Sequence, residues 1–160
     1  MKYLKYFESK IEDIDNISYE MTHEKIRECA EIIKIKANIN RDNGFESWLT
    51  HNWCFNHNPN EEFFCKLYFH LIKKSDSVRL LKRYLLSNHI TFEANDDISF
   101  DADDNKMKEI VVSFSITKEQ ILYYLIENKN SNLSKMEIEM EIDNLLEEER
   151  IDKTSNKYDI

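Results

Sequence analysis

At His89 the spacing of apolar residues changes from about 3.6 to 2, and no other feature of this chain restricts its fold as tightly. Upstream the period is helical. Leu4, Phe7, Ile11 and Ile14 form one stripe, and Ile26, Ala30, Ile33 and Ala37 form another on a segment beginning near Thr22. Residues 33–39 also alternate as a strand would, but the longer stripe favours a helix. Asn43-Gly44 is a turn dipeptide, followed by a short aromatic segment with Phe45, Trp48, Leu49, Trp53 and Phe55, closed by Pro59. Asn60 then stands as an N-cap before Glu61 and Glu62. Phe63, Leu67, Leu71 and Phe64, Tyr68, Ile72 predict a helix with a wide apolar face, and Val78, Leu81 and Leu85 predict a second after Asp76. Downstream of His89, Ile90–Phe92–Ala94, Ile98–Phe100–Ala102 and Ile110–Val112–Phe114–Ile116 alternate with polar or smaller residues. Acidic turns at residues 95–97 and 103–105 separate them. Two capping boxes, Thr117 with Gln120 and Ser134 with Glu137, start helices carrying Ile121, Leu122, Leu125 and Ile138, Ile142, Leu145. The expectation is a single α+β domain over residues 1–160. Residues 1–88 are helical, 89–116 form a three-stranded antiparallel β-meander, 117–150 are helical, and 151–160 are a frayed tail. A helix layer must cover the meander's apolar face.

Gly44 is the single glycine among 160 residues. Dinucleotide fingerprints, Walker-type phosphate loops and nucleophile elbows each need at least two, because backbone must approach a ligand or adopt positive φ without a Cβ in the way. Cys54 between His51 and His57 has the residue types for nucleophilic catalysis, but no oxyanion-hole glycine lies nearby. The expectation is a protein that is not an enzyme. The longest clean apolar run, residues 121–126, is too short to span a bilayer. Glu8 and the lack of a small-residue cleavage site argue against a secretory signal. Cys29, Cys54 and Cys65 are an odd number without framework spacing, which suggests reduced thiols in a cytoplasm.

His51, Cys54 and His57, followed by Cys65 and His70, are zinc-ligand types, but their spacing matches no common knuckle. Asp101, Asp103 and Asn105 imitate the start of a calcium loop, yet Lys106 occupies the glycine position and Val112 the bidentate glutamate position. No metal and no cofactor is therefore expected, and the acidic residues read as a hairpin tip that discourages edge pairing.

Charge is distributed unevenly: residues 1–87 carry a net +1 and residues 88–160 a net −10, giving −9 overall. The C-terminal part resembles the second half of a winged-helix domain, with a wing over residues 152–158. Its second helix, however, carries Glu137, Glu139, Glu141, Asp143, Glu147, Glu148 and Glu149, which phosphates would repel. Lys73, Lys74, Arg79, Lys82 and Arg83 are the one basic cluster, and they read as the solvated face of a helix. Rows of carboxylates suit a basic protein surface, where they would steer association. The predicted contact residues are Asp96, Asp97, Asp101, Asp103, Asp104, Glu137, Glu141 and Glu148, with Trp48 and Trp53 as aromatic anchors.

In its opening MKYLKYFESKIEDI, its Ile/Lys/Asn-rich body, its length and its acidic C-terminal half, the chain resembles the small phage-encoded anti-CRISPR proteins of low-GC Gram-positive hosts. It looks most like those that inhibit the type II RNA-guided DNA nuclease. The likeness is one of profile over the whole length and carries no residue roles with it. It implies a non-enzymatic inhibitor in the host cytoplasm that masks a nuclease active site, blocks that domain's docking, or covers the basic channel for nucleic acid. No direct nucleic-acid or membrane contact is implied. The alternatives are an intracellular regulatory or DNA-associated protein using the basic cluster, and a toxin-neutralising immunity protein.

Overall fold

A computed structural model describes residues 21–51, 64–100, 102–103 and 106–158. The chain is α+β. Its described elements are α1 (His23–Ala37), a 3-10 turn (Arg41–Asn43), β1 (Phe45–His51), β2 (Phe64–Ile72), α2 (Asp76–Ser87), β3 (Phe92–Phe100), β4 (Lys106–Thr117), α3 (Lys118–Lys129) and α4 (Lys135–Tyr158). They divide into two compact units. Of the described residues, one holds 30–51, 64–100, 102–103 and 106–117, and the other holds 21–29 and 118–158.

The first unit is built on a four-stranded antiparallel sheet of order β1-β2-β4-β3, in place of the expected three-stranded meander. The largest departure is β2. Its segment satisfies both periods, since Leu67 and Leu71 fall four apart while Cys65, Leu67, Phe69 and Leu71 alternate. The strand wins because the segment is rich in aromatic and branched residues and hydrogen-bonds on both sides, to β1 and to β4. Cys65 stands opposite Ile116, Leu67 opposite Phe114 and Phe69 opposite Val112, and all six side chains are essentially inaccessible. Phe69 meets Phe45 and Phe114 edge to face, with ring centroids at 6.0 and 5.4 Å. Fully burying one such side chain stabilises the fold by about 1.5–3 kcal/mol. α2 packs on β2, and Leu81 and Leu85, four apart, are buried.

The second departure is that two expected strands are one. Asn95, Asp96 and Asp97 do not turn: they stay extended within β3 opposite Val111, Ile110 and Glu109. Ladder hydrogen bonds outweigh the local turn preference of Asn and Asp, and the Lys73 ammonium bonds the Asp96 carboxylate at 3.0 Å. The turn comes later, at Ala102 and Asp103.

With one glycine available, junctions elsewhere use other residues. Gly44 has φ +111, closes the 3-10 turn, and its carbonyl accepts from the Ile72 amide at 2.8 Å. Asn38 and His89 adopt φ of 60 and 57. Each sits where helices usually place glycine in a Schellman motif. Ile39 N donates to Lys34 O and Asn38 N to Ile35 O after α1, while Ile90 N donates to Leu85 O and His89 N to Leu86 O after α2.

In the second unit α3 packs against α4. α3 buries Ile121, Leu122, Tyr124, Leu125 and Ile126, apolar on most of its circumference. α4 buries the single stripe Ile138, Ile142 and Leu145. Ser134 caps α4 reciprocally: its hydroxyl accepts from the Glu137 amide and the Glu137 carboxylate accepts from the Ser134 amide, both at 3.2 Å. The helix continues to Tyr158, where a frayed tail and a wing were expected, so the winged-helix resemblance does not hold. The predicted N-terminal helix over Leu4 to Ile14 lies outside the described residues. No helix among the described residues is long and apolar enough to cross a membrane.

Candidate functional site

α4 is long, and its described side chains, which lie within residues 135–151, are buried on one side only. At 100° per residue, Ile138, Ile142 and Leu145 define its inward direction, and Met136, Met140, Glu147 and Ile151 fall within about 60° of one another on the opposite side. Met136 is 72% exposed, Met140 59% and Ile151 55%, which is unusual for three large apolar side chains on one stripe. Exposed Glu139, Asp143 and Glu148 flank them. The sequence of residues 135–151 contains seven carboxylates and two cations, Lys135 and Arg150, and Arg150 is held by Glu147 at 2.7 Å. The result is an adaptable thioether stripe with an acidic border. Unbranched methionines conform to irregular surfaces, and carboxylates are complementary in charge to basic ones.

The residues expected to make contact separate by unit. Asp96, Asp97 and Asp103 belong to the sheet unit, and Glu137, Glu141 and Glu148 to the helical one. Asp96 is engaged by Lys73. Asp97 lies on the opposite side of β3 from Asp96, and its carboxylate accepts from the Ile98 amide at 2.8 Å. Asp103 is exposed in the hairpin turn. Glu137 is occupied in the cap of α4, Glu141 is half-buried toward the inward stripe, and Glu148 is exposed. Trp48 is half-buried on β1. Asp101, Asp104 and Trp53 lie outside the described residues. Met136, Met140 and Ile151 escaped the sequence reading, although their spacing of four and eleven residues is visible once α4 has a register.

The zinc-type residues do not form one cluster. Cys65 and His70 are five apart on β2 and so point to opposite faces of the sheet. Burial pushes the Cys65 thiol up to about 11, partly opposed by a hydrogen bond with Thr50, which favours its protonated form at neutral pH. Cys54 and His57 lie outside the described residues.

The basic cluster divides as well. Lys73 serves Asp96, while Lys74, Arg79, Lys82 and Arg83 line a surface groove of about 710 Å³ along α2 together with Leu86.

No family model, no curated protein and no solved structure matches the chain.

Proposed function

We propose that this chain is a stoichiometric, non-enzymatic protein inhibitor of the anti-CRISPR kind, which binds a basic surface of a type II RNA-guided DNA nuclease through the outward face of α4. The observation that carries the reading is the exposed stripe of Met136, Met140 and Ile151 bordered by Glu139, Asp143 and Glu148. Apolar anchors inside a like-charged border suit a contact that is steered by charge and held by buried surface. Such a nuclease keeps its heteroduplex in a positively charged channel and moves a nuclease domain before cutting, so an acidic helix seated in either place stops cleavage. Asp103 adds negative charge at the hairpin turn of the sheet unit.

The test is binding and cleavage with a purified guide-loaded type II nuclease. Saturation near one inhibitor per nuclease is expected, with cleavage lost in proportion. Replacing Met136 and Met140 by Ala is expected to weaken binding at least ten-fold, mainly through dissociation. Glu139→Lys with Asp143→Lys is expected to slow association and flatten its salt dependence. Binding and inhibition unchanged by all four substitutions would refute the assignment of this face. Tight duplex DNA binding by the isolated protein, lost in Arg79→Glu and Arg83→Glu, would favour a DNA-associated role for the groove on α2 instead.

A further inference from the structure

On the sheet face away from the apolar core, three neighbouring strands each present one metal-ligating side chain to the same spot. Glu109 lies on the central strand β4, directly opposite Asp97 of β3. On the other side it stands opposite Ile72 of β2, which places His70 on the diagonal, within reach of a long side chain. The candidate ligand atoms of His70, Asp97 and Glu109 all lie within 4.8 Å of one another. We propose that these three residues form a binding site for a divalent transition-metal cation, with zinc the best fit.

Three considerations support the assignment. The first is charge. The Asp97 and Glu109 carboxylates are directly opposed across a strand pair, an arrangement of like charges that repels. A divalent ion between them offsets that repulsion. The second is distance. His70 Nδ1 stands 3.5 Å from Glu109 Oε2, longer than a good hydrogen bond. Two ligands at about 2.0–2.2 Å from a tetrahedral ion stand about 3.4 Å apart, so this edge is already set and Asp97 closes the site by a modest rotation. The third is rigidity. All three ligands rise from paired strands, and Glu109 and His70 are held by the ladder in the middle of the sheet.

One imidazole nitrogen and two carboxylate oxygens suit zinc better than calcium or magnesium, which prefer all-oxygen shells. His70 is half-buried and Asp97 exposed, so a fourth position faces solvent and can hold water. A bound ion would tie β2, β4 and β3 together on the face that lacks the apolar core. The proposal is independent of α4 and its partner.

Calorimetric titration of the full chain with zinc chloride tests it, together with thermal unfolding. One site is expected, along with an upward shift of the unfolding midpoint as zinc is added. His70→Ala and Asp97→Asn are each expected to weaken this site at least ten-fold and abolish the shift. Asp97 is exposed, so its variant keeps the test valid if His70→Ala folds poorly. Without zinc, Asp97→Asn is expected to unfold at a higher temperature than the parent, because it removes the repulsion with Glu109. Cobalt in place of zinc is expected to show no intense thiolate-to-metal band, which separates this site from any involving Cys54. Zinc affinity unchanged in both variants, or a strong thiolate band, would overturn the proposal.

Discussion

The sheet unit and the α3–α4 pair treat the same residue type in opposite ways. In the sheet, acids have close neighbours: Lys73 bonds Asp96, and Glu109 stands between His70 and Asp97. On α4, Glu139, Asp143 and Glu148 project into solvent beside exposed methionines. Geometry accounts for the difference. A strand inside a sheet has partners within about 5 Å on both sides, so its polar side chains find company. A long helix packed along one stripe leaves its opposite face to water or to another protein. Charge counted along a sequence therefore says little about which charges a partner can reach.

The core contrast is the sharpest place to press. Phe69→Ala removes a fully buried ring held by two others and is expected to cost about 3–5 kcal/mol in urea unfolding. Ile142→Ala, on the single inward stripe of α4, is expected to cost less, about 2 kcal/mol. The reverse order would mean that the helical pair, and not the sheet, dominates stability. Gly44→Ala comes next, at about 1–3 kcal/mol, since φ is +111 and an added Cβ would collide with the Ser75 side chain. A loss below a few tenths of a kcal/mol in thermal unfolding would show that the turn relaxes easily. Smallest is Ser134→Ala, at about 1 kcal/mol, which removes half of the reciprocal cap on α4. Circular dichroism should show that loss as reduced helicity, with the sheet signal unchanged.

The α+β class was legible because its signals are local. The stripe from Ile26 to Ala37, the helix after Asp76 and the Ser134–Glu137 box all act within one or two turns, and the structure keeps each. β2 was misread because residues 64–72 satisfy two periods at once, and the choice between them depends on β1 and β4, which are distant in sequence. Asn95, Asp96 and Asp97 were misread for the same reason, since a turn signal is overruled by a partner strand. The helical run through Thr154, Ser155 and Asn156 shows how weak a guide residue propensity is at a helix end. The outward stripe of α4 needed only a register, whereas the meeting of His70, Asp97 and Glu109 depends on how three strands align. A slip of one residue in β3 would send Asp97 to the other side of the sheet.

Among the described residues, Asn38, Lys74 and His89 are the three other than glycine at positive φ, and each stands at a junction: after α1, between β2 and α2, and after α2. A side chain in that conformation carries a local cost that glycine does not. The implication concerns substitution: at Lys74, glycine fits the backbone path without that cost, so Lys74→Gly should be tolerated where Lys74→Val is not.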